Sequence, residues 1–110
     1  MLPIEIRPAR TRRERKTFVT CAWRFNDGDP CWVPPLISDT MNFIDPGRGP
    51  FFEHGEAALF MAYRGSRPVG RISAHVNRLH DERHGPGTGF EGFFECEDDP
   101  ETACSLFNAA

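Results

Sequence analysis

The sequence predicts an α+β domain in which a mixed, mostly antiparallel sheet is flanked by helices, in the order β-α-α-β-β-β-α. Two periodicities and a hairpin carry that prediction. Apolar side chains recur every three to four positions within residues 12–25 and again after Asp99, the spacing of a core-facing helical stripe. They alternate or run continuously through residues 4–7, 56–64, 69–77 and 90–96, as strands do. The turn residues Gly65, Ser66, Arg67 and Pro68 join two of these strands into a hairpin.

Each element has its own local warrant. Ile4, Glu5, Ile6 and Arg7 alternate as a short first strand. Thr11 and Glu14 form a T-x-x-E capping box that starts a helix, with Phe18, Ala22 and Phe25 on its apolar stripe and the arginines of its first turn facing water. Asn26, Asp27, Gly28, Asp29 and Pro30 stop it. A short second helix is expected through Leu36, Ile37, Met41 and Ile44, closed by the loop from Asp45 to Pro50. The nearly continuous apolar run Glu56–Arg64 fits a strand covered on both faces. In the next strand Ile72, Ala74 and Val76 face one way, and Arg71, Ser73, His75 and Asn77 face the other, polar, way. After the loop residues Gly85–Gly89, regular alternation in the last strand places Phe90, Phe94 and Cys96 on one face and Glu91, Phe93 and Glu95 on the other. Asp99 then caps a helix with Pro100 at its first position and a stripe of Ala103, Leu106, Phe107 and Ala110. That helix reaches Ala110 without a cap, a Gly or a basic last turn, so residues 1–110 read as one partial domain, truncated within it.

Composition narrows the class of function. A 110-residue chain of 12.5 kDa allows one modest core. Hydrophobic residues at 39% and charged residues at 26% exclude a membrane-embedded or plainly disordered chain. Residues 1–25 carry seven basic side chains against two acidic ones, and residues 26–110 carry six against fourteen, so the two parts attract each other. The basic run lacks interleaved aromatics and a groove-reading motif, and the acidic remainder repels phosphate; nucleic acid is not an expected partner. Cys21, Cys31, Cys96 and Cys104 form no C-x-x-C pair and read as buried or half-buried thiols. With no apolar run of about 18 residues and no secretory pattern, neither a membrane partner nor an oxidising compartment is expected, and the cytoplasm is the expected setting. His80 and His84 have the i, i+4 spacing of a metal pair, but the adjoining Gly85, Pro86 and Gly87 favour a loop and no third ligand is evident, so no metal is expected.

The element order, the hairpin Leu59–Ala74 with its Val69-Gly70 pair, and the stretches Asp29–Leu36, Pro50–Ala57 and Gly89–Glu101 resemble the opening half of the GNAT N-acetyltransferase fold and a group of bacterial GNAT-like proteins. This resemblance covers most of the chain from about residue 20 onward. It implies a GNAT-like domain, transfer of an acetyl group from acetyl-CoA to a small-molecule amine, and a chain not competent alone. It places a general base on the last strand, at Glu91 or Glu95. It places coenzyme against the backbone of that strand and the following helix start, at Phe94, Cys96, Asp99 and Glu101. The family's Gly-rich pyrophosphate loop is replaced here by Glu97–Glu101, which has no Gly, lacks an amide at Pro100 and carries four carboxylates. The alternative reading is a noncatalytic interaction module that forms homo-oligomers through an exposed sheet edge. Either way, the isolated chain is expected to be oligomeric or marginally stable.

Overall fold

The computed structural model describes residues 2–110 and has the expected α+β architecture. Strand β1 (Ile4–Pro8) is followed by helices α1 (Arg12–Phe25) and α2 (Ile37–Ile44) and a 3-10 turn at Pro50–Glu53. Strands β2 (Gly55–Arg64) and β3 (Arg67–Asn77), helix α3 (Arg78–His84), strand β4 (Phe90–Cys96) and helix α4 (Pro100–Ala109) complete the order. The sheet is antiparallel throughout, in the order β1-β2-β3-β4. The outer edges of β1 and β4 pair with no other strand among the described residues.

The capping box forms as the sequence specifies. Glu14 N–H donates to Thr11 Oγ1 at 3.1 Å, and Thr11 N–H donates to Glu14 Oε1 at 2.8 Å, which satisfies two amides that the first helical turn leaves orphaned. The Thr11 N–H, joined by the Arg10 N–H at 3.0 Å, holds the Glu14 carboxyl below its usual pKa. From this start α1 lays Phe18, Val19, Cys21 and Ala22 on one face of the sheet, where Ala9, Ile44, Leu59 and Met61 complete a core. Helix α4 covers the other face, where Leu106 packs with Ala62, Val69 and Ile72. Its close approach requires Gly70: a Cβ there would stand 2.7 Å from Leu106 Cδ1 and 2.8 Å from Cys96 Cβ.

Four local expectations need correction. Residues 78–84 form α3 rather than a loop, because the Asn77 side chain accepts from the amides of Leu79 and His80 and so caps the turn. The polar face of β3 is not wet, since Arg71 and Ser73 are buried beneath α1 and α2. Strand β2 is covered on both faces only toward Arg64; Glu56, Ala57 and Ala58 are exposed. The stripe of α4 is rotated: Thr102 and Leu106 are buried while Phe107 stays exposed, its ring tilted against Phe94 at 4.5 Å.

The start of α4 is anchored electrostatically. Arg64 Nη2 donates to Asp99 Oδ2 at 2.6 Å and to Glu101 Oε2 at 3.2 Å, and Arg64 Nη1 donates to the Leu2 carbonyl. Asp99 also caps the helix through Glu101 N–H and accepts from Thr102 Oγ1 at 2.9 Å. Arg64 first, then Thr102, hold the Asp99 carboxyl below its ordinary value of 3.8. A depressed carboxyl stabilises the fold fully above its unfolded pKa and loses that contribution as pH falls through the lower folded value. The stability difference between the native chain and Asp99→Asn is therefore expected to be constant near neutrality and to shrink below about pH 3.8, as read by urea unfolding. Leu106→Ala is expected to cost about 2–5 kcal/mol in the same experiment; a loss under about 1 kcal/mol would mean that α4 is not docked on this sheet.

Candidate functional site

Strand β4 determines what the two faces of the sheet can do. Its register against β3 pairs His75 with Phe90, Ala74 with Glu91 and Ser73 with Gly92, then shifts, so that Arg71 pairs with Glu95 and Gly70 with Cys96. The shift is a β-bulge whose extra residue is accommodated at Phe93, the only non-glycine residue with positive φ (51°) among those described. Cross-strand partners share a face. Phe90, Gly92 and Glu95 therefore lie with β3's Arg71, Ser73 and His75 on the α1 side, and Glu91 and Cys96 lie on the α4 side with Ala74 and Gly70. The expectation that Glu91 and Glu95 share one face is thus wrong: the bulge reverses the alternation between them.

Glu95 is held within the protein. Its Oε1 accepts from Asn26 Nδ2 at 2.9 Å, and its Oε2 lies 3.2 Å from Arg71 Nη2. Arg71 in turn donates to the Phe18 carbonyl of α1 at 2.8 Å, and its guanidinium stands 5.2 Å from the Phe18 ring centroid and 5.3 Å from that of Phe93. Such an arrangement ties α1 to the sheet, with Glu95 Oε1 hydrogen-bonded and Oε2 held at ion-pair distance from Arg71. Glu91 is exposed and makes no ion pair among the described residues.

On the α4 side, Glu91 sits at an open trough of about 610 Å³ whose apolar lining includes Ala58, Ala74, Val76, Phe107 and Ala110, with Glu56 also at its wall. On the α1 side, a smaller pocket of about 100 Å³ lies between the sheet, α2 and the 3-10 turn. It is built from Phe43, Ile44, Phe51, Phe52, Leu59 and Phe93 over Ser73 and His75. Phe51 reaches its place because Gly55 has no side chain; a Cβ there would stand 2.3 Å from Phe51 Cζ. Neither Ser73 nor this aromatic cluster was singled out as a site from the sequence. The readable signals were the Phe51-Phe52 pair beside Gly55 and a lone Ser in a strand, and neither is specific.

The residues expected to hold coenzyme are otherwise engaged. Phe94 packs against Phe107, and Asp99 and Glu101 pair with Arg64. The amides that open α4 are spent internally: Glu97 N–H on the Val69 carbonyl, Asp99 N–H on the Glu97 carbonyl and Glu101 N–H on Asp99 Oδ1. With no amide at Pro100 and the Asp98, Asp99 and Glu101 carboxylates gathered there, this helix start does not fit a pyrophosphate. His80 and His84 do approach on α3, with ring centroids 4.6 Å apart, but no group of three or more His, Cys, Asp or Glu among the described residues is placed to hold a metal. No helix is long and apolar enough to cross a membrane among those residues.

The fold defines an α+β domain that carries, among its clefts, an apolar trough beside Glu91 and an aromatic pocket over Ser73. Comparison with known proteins adds relatives of a different kind from those expected. The chain is 39% identical over 108 residues to the "Bacterial ceramide synthase" of Caulobacter vibrioides, an alignment covering 97% of this chain and 28% of that protein. It is 30% identical over 105 residues to "Protein YghO" of Escherichia coli, covering 96% of this chain and 27% of that protein. The chain therefore spans little more than a quarter of the length of the curated relatives it matches. No family model matches the chain, and no solved structure matches it. These relatives overturn the resemblance to GNAT N-acetyltransferases and the acetyl transfer from acetyl-CoA that it implied. A shared order of strands and helices reports burial periodicity, and many unrelated folds satisfy the same order.

The cysteines also depart from a uniform expectation. Cys21 and Cys96 are buried and half-buried, whereas Cys31 and Cys104 are exposed. Burial pushes the Cys21 thiol up to about 12. Since the thiolate is the reactive form, iodoacetamide at pH 8 is expected to label Cys31 and Cys104 rapidly and Cys21 at least ~100-fold more slowly in the folded chain, with equal labelling in urea. Mass-mapped alkylation rates check this, and fast native labelling of Cys21 would contradict the packing of α1.

Proposed function

We propose that this chain is a region of a ceramide-forming protein and that it presents the long-chain amine. The carrying observation is the 39% identity extending over 97% of the chain to a protein named as a bacterial ceramide synthase. A ceramide is the fatty amide of a long-chain amino alcohol, so such a protein must hold a cationic amine together with an alkyl chain. The trough on the α4 side suits both demands. Ala58, Ala74, Val76 and Phe107 offer apolar surface to the alkyl chain, and the unpaired Glu91 carboxylate offers a counter-charge to the ammonium. Glu91 binds the amine in this reading, whereas Glu95 positions α1.

A chimera tests the proposal. This chain replaces the 108-residue matching region of the Caulobacter vibrioides protein, and ceramide formation is measured on the purified, folded product. Activity is expected to be retained. Glu91→Gln in the chimera is expected to raise KM for the long-chain amine about three- to fivefold, the scale of a partly exposed charge contact, with kcat little changed. A folded chimera that forms no ceramide would contradict the reading.

A further inference from the structure

We propose that the aromatic pocket over Ser73 is a second binding site, one that takes an uncharged aliphatic group bearing a single alcohol or amide function. It lies on the α1 side of the sheet, meets the Glu91 trough at Ala57 and His75, and does not depend on the ceramide reading.

The floor of the pocket carries the argument. Ser73 is only 2% exposed, and its Oγ makes no hydrogen bond to any protein group among the described residues. A hydroxyl buried in this way has given up water and recovered nothing from the protein, so a polar atom delivered to it gains a hydrogen bond at a site already desolvated. Its neighbour on β4 is the one residue that brings no side chain against it. Gly92 stands opposite Ser73 on β4, and a Cβ on Gly92 would lie 3.3 Å from Ser73 Oγ and 3.5 Å from His75 Cε1. No side chain therefore stands between the hydroxyl and the imidazole edge.

The walls fix the rest of the ligand's chemistry. Four phenylalanine rings with Ile44 and Leu59 surround the space, and none of the lining residues is Asp, Glu, Lys or Arg. Apart from the His75 imidazole no ionisable side chain lines the pocket, so a cation brought here would lose its hydration without gaining a counter-charge, and an uncharged ligand suits it best. The volume of about 100 Å³ holds about three methylene-sized groups. The ligand thus enters polar end first, its hydroxyl or amide on Ser73 and a short aliphatic segment among the rings. The Phe93 bulge creates the site: its positive φ brings the Phe93 ring to the α1 side, 6.3 Å from the ring of Phe43, and closes one wall.

Butanamide is the probe. Titrated into the ¹⁵N-labelled 110-residue chain, it is expected to shift the amide resonances of Ser73, Gly92 and Phe93 in a saturable way. Ser73→Ala removes an unpaired hydroxyl, so its unfolding midpoint is expected to be unchanged or higher while its butanamide affinity falls about fivefold. Ala57→Leu, at an exposed position on the pocket wall, is expected to abolish the shifts with the fold intact. Shifts centred elsewhere, or undiminished affinity in Ser73→Ala, would overturn the proposal. The chimera's ceramide formation plays no part in this readout, so either idea can fail alone.

Discussion

Arg71 is the residue on which the assembly of helix and sheet depends. It projects from the middle of β3 into a space where a cation is costly, and three interactions offset that cost: the Phe18 carbonyl of α1, the Glu95 carboxylate of β4 and the faces of the Phe18 and Phe93 rings. They come from two elements, α1 and β4, so the guanidinium gathers all of them only when both are in place beside β3. Apolar packing alone would hold α1 to the sheet without specifying its position along the strands. The planar donor array of Arg71 supplies that position.

The bulge in β4 follows from the same arrangement and divides the molecule's chemistry between two faces. Without it, Glu91 would turn to the Arg71 side and compete with Glu95 for one cation. With it, Glu95 completes the buried pair and Glu91 is released to an apolar trough on the α4 side. The strained residue is a phenylalanine, and the ring it carries is the return on that strain: it packs edge-on to Phe18 at 5.8 Å, flanks Arg71 and walls the Ser73 pocket. One irregular residue thus separates the surface that carries Glu91 from the one walled by aromatic rings.

What could be read in advance was whatever is encoded within a few residues. Thr11 and Glu14 specify the start of α1, Asp99 and Pro100 specify the start of α4, and the hairpin turn at Gly65 lies between two apolar runs. The bulge was illegible because a left-handed conformation is expected of Gly or Asn, and here Gly92 sits one residue before the position that adopts it. The burial of Arg71 and Ser73 was illegible because alternation says which residues share a face and not whether a helix covers it. Helix α3 was missed because seven residues give too short a window for periodicity, although Asn77 was a fair cap. Of the candidate site residues, Glu95 and Glu91 stand out by chemistry, but their separation depends on pairing with β3, Glu95 opposite Arg71 and Glu91 opposite Ala74, which no local pattern carries. The family resemblance failed for a related reason: apart from α3 the expected order of elements matches the observed one, and element order does not identify a lineage.

A double-mutant cycle on Arg71→Met and Glu95→Gln, followed by urea unfolding, tests the central role of the buried cation most directly. If Arg71 and Glu95 act as one unit that positions α1, their coupling is expected to be on the order of 1 kcal/mol or more, with Arg71→Met the more damaging single change because it also abandons the Phe18 carbonyl. Additive effects, with coupling below about 0.3 kcal/mol, would contradict the account and leave α1 held by apolar packing alone.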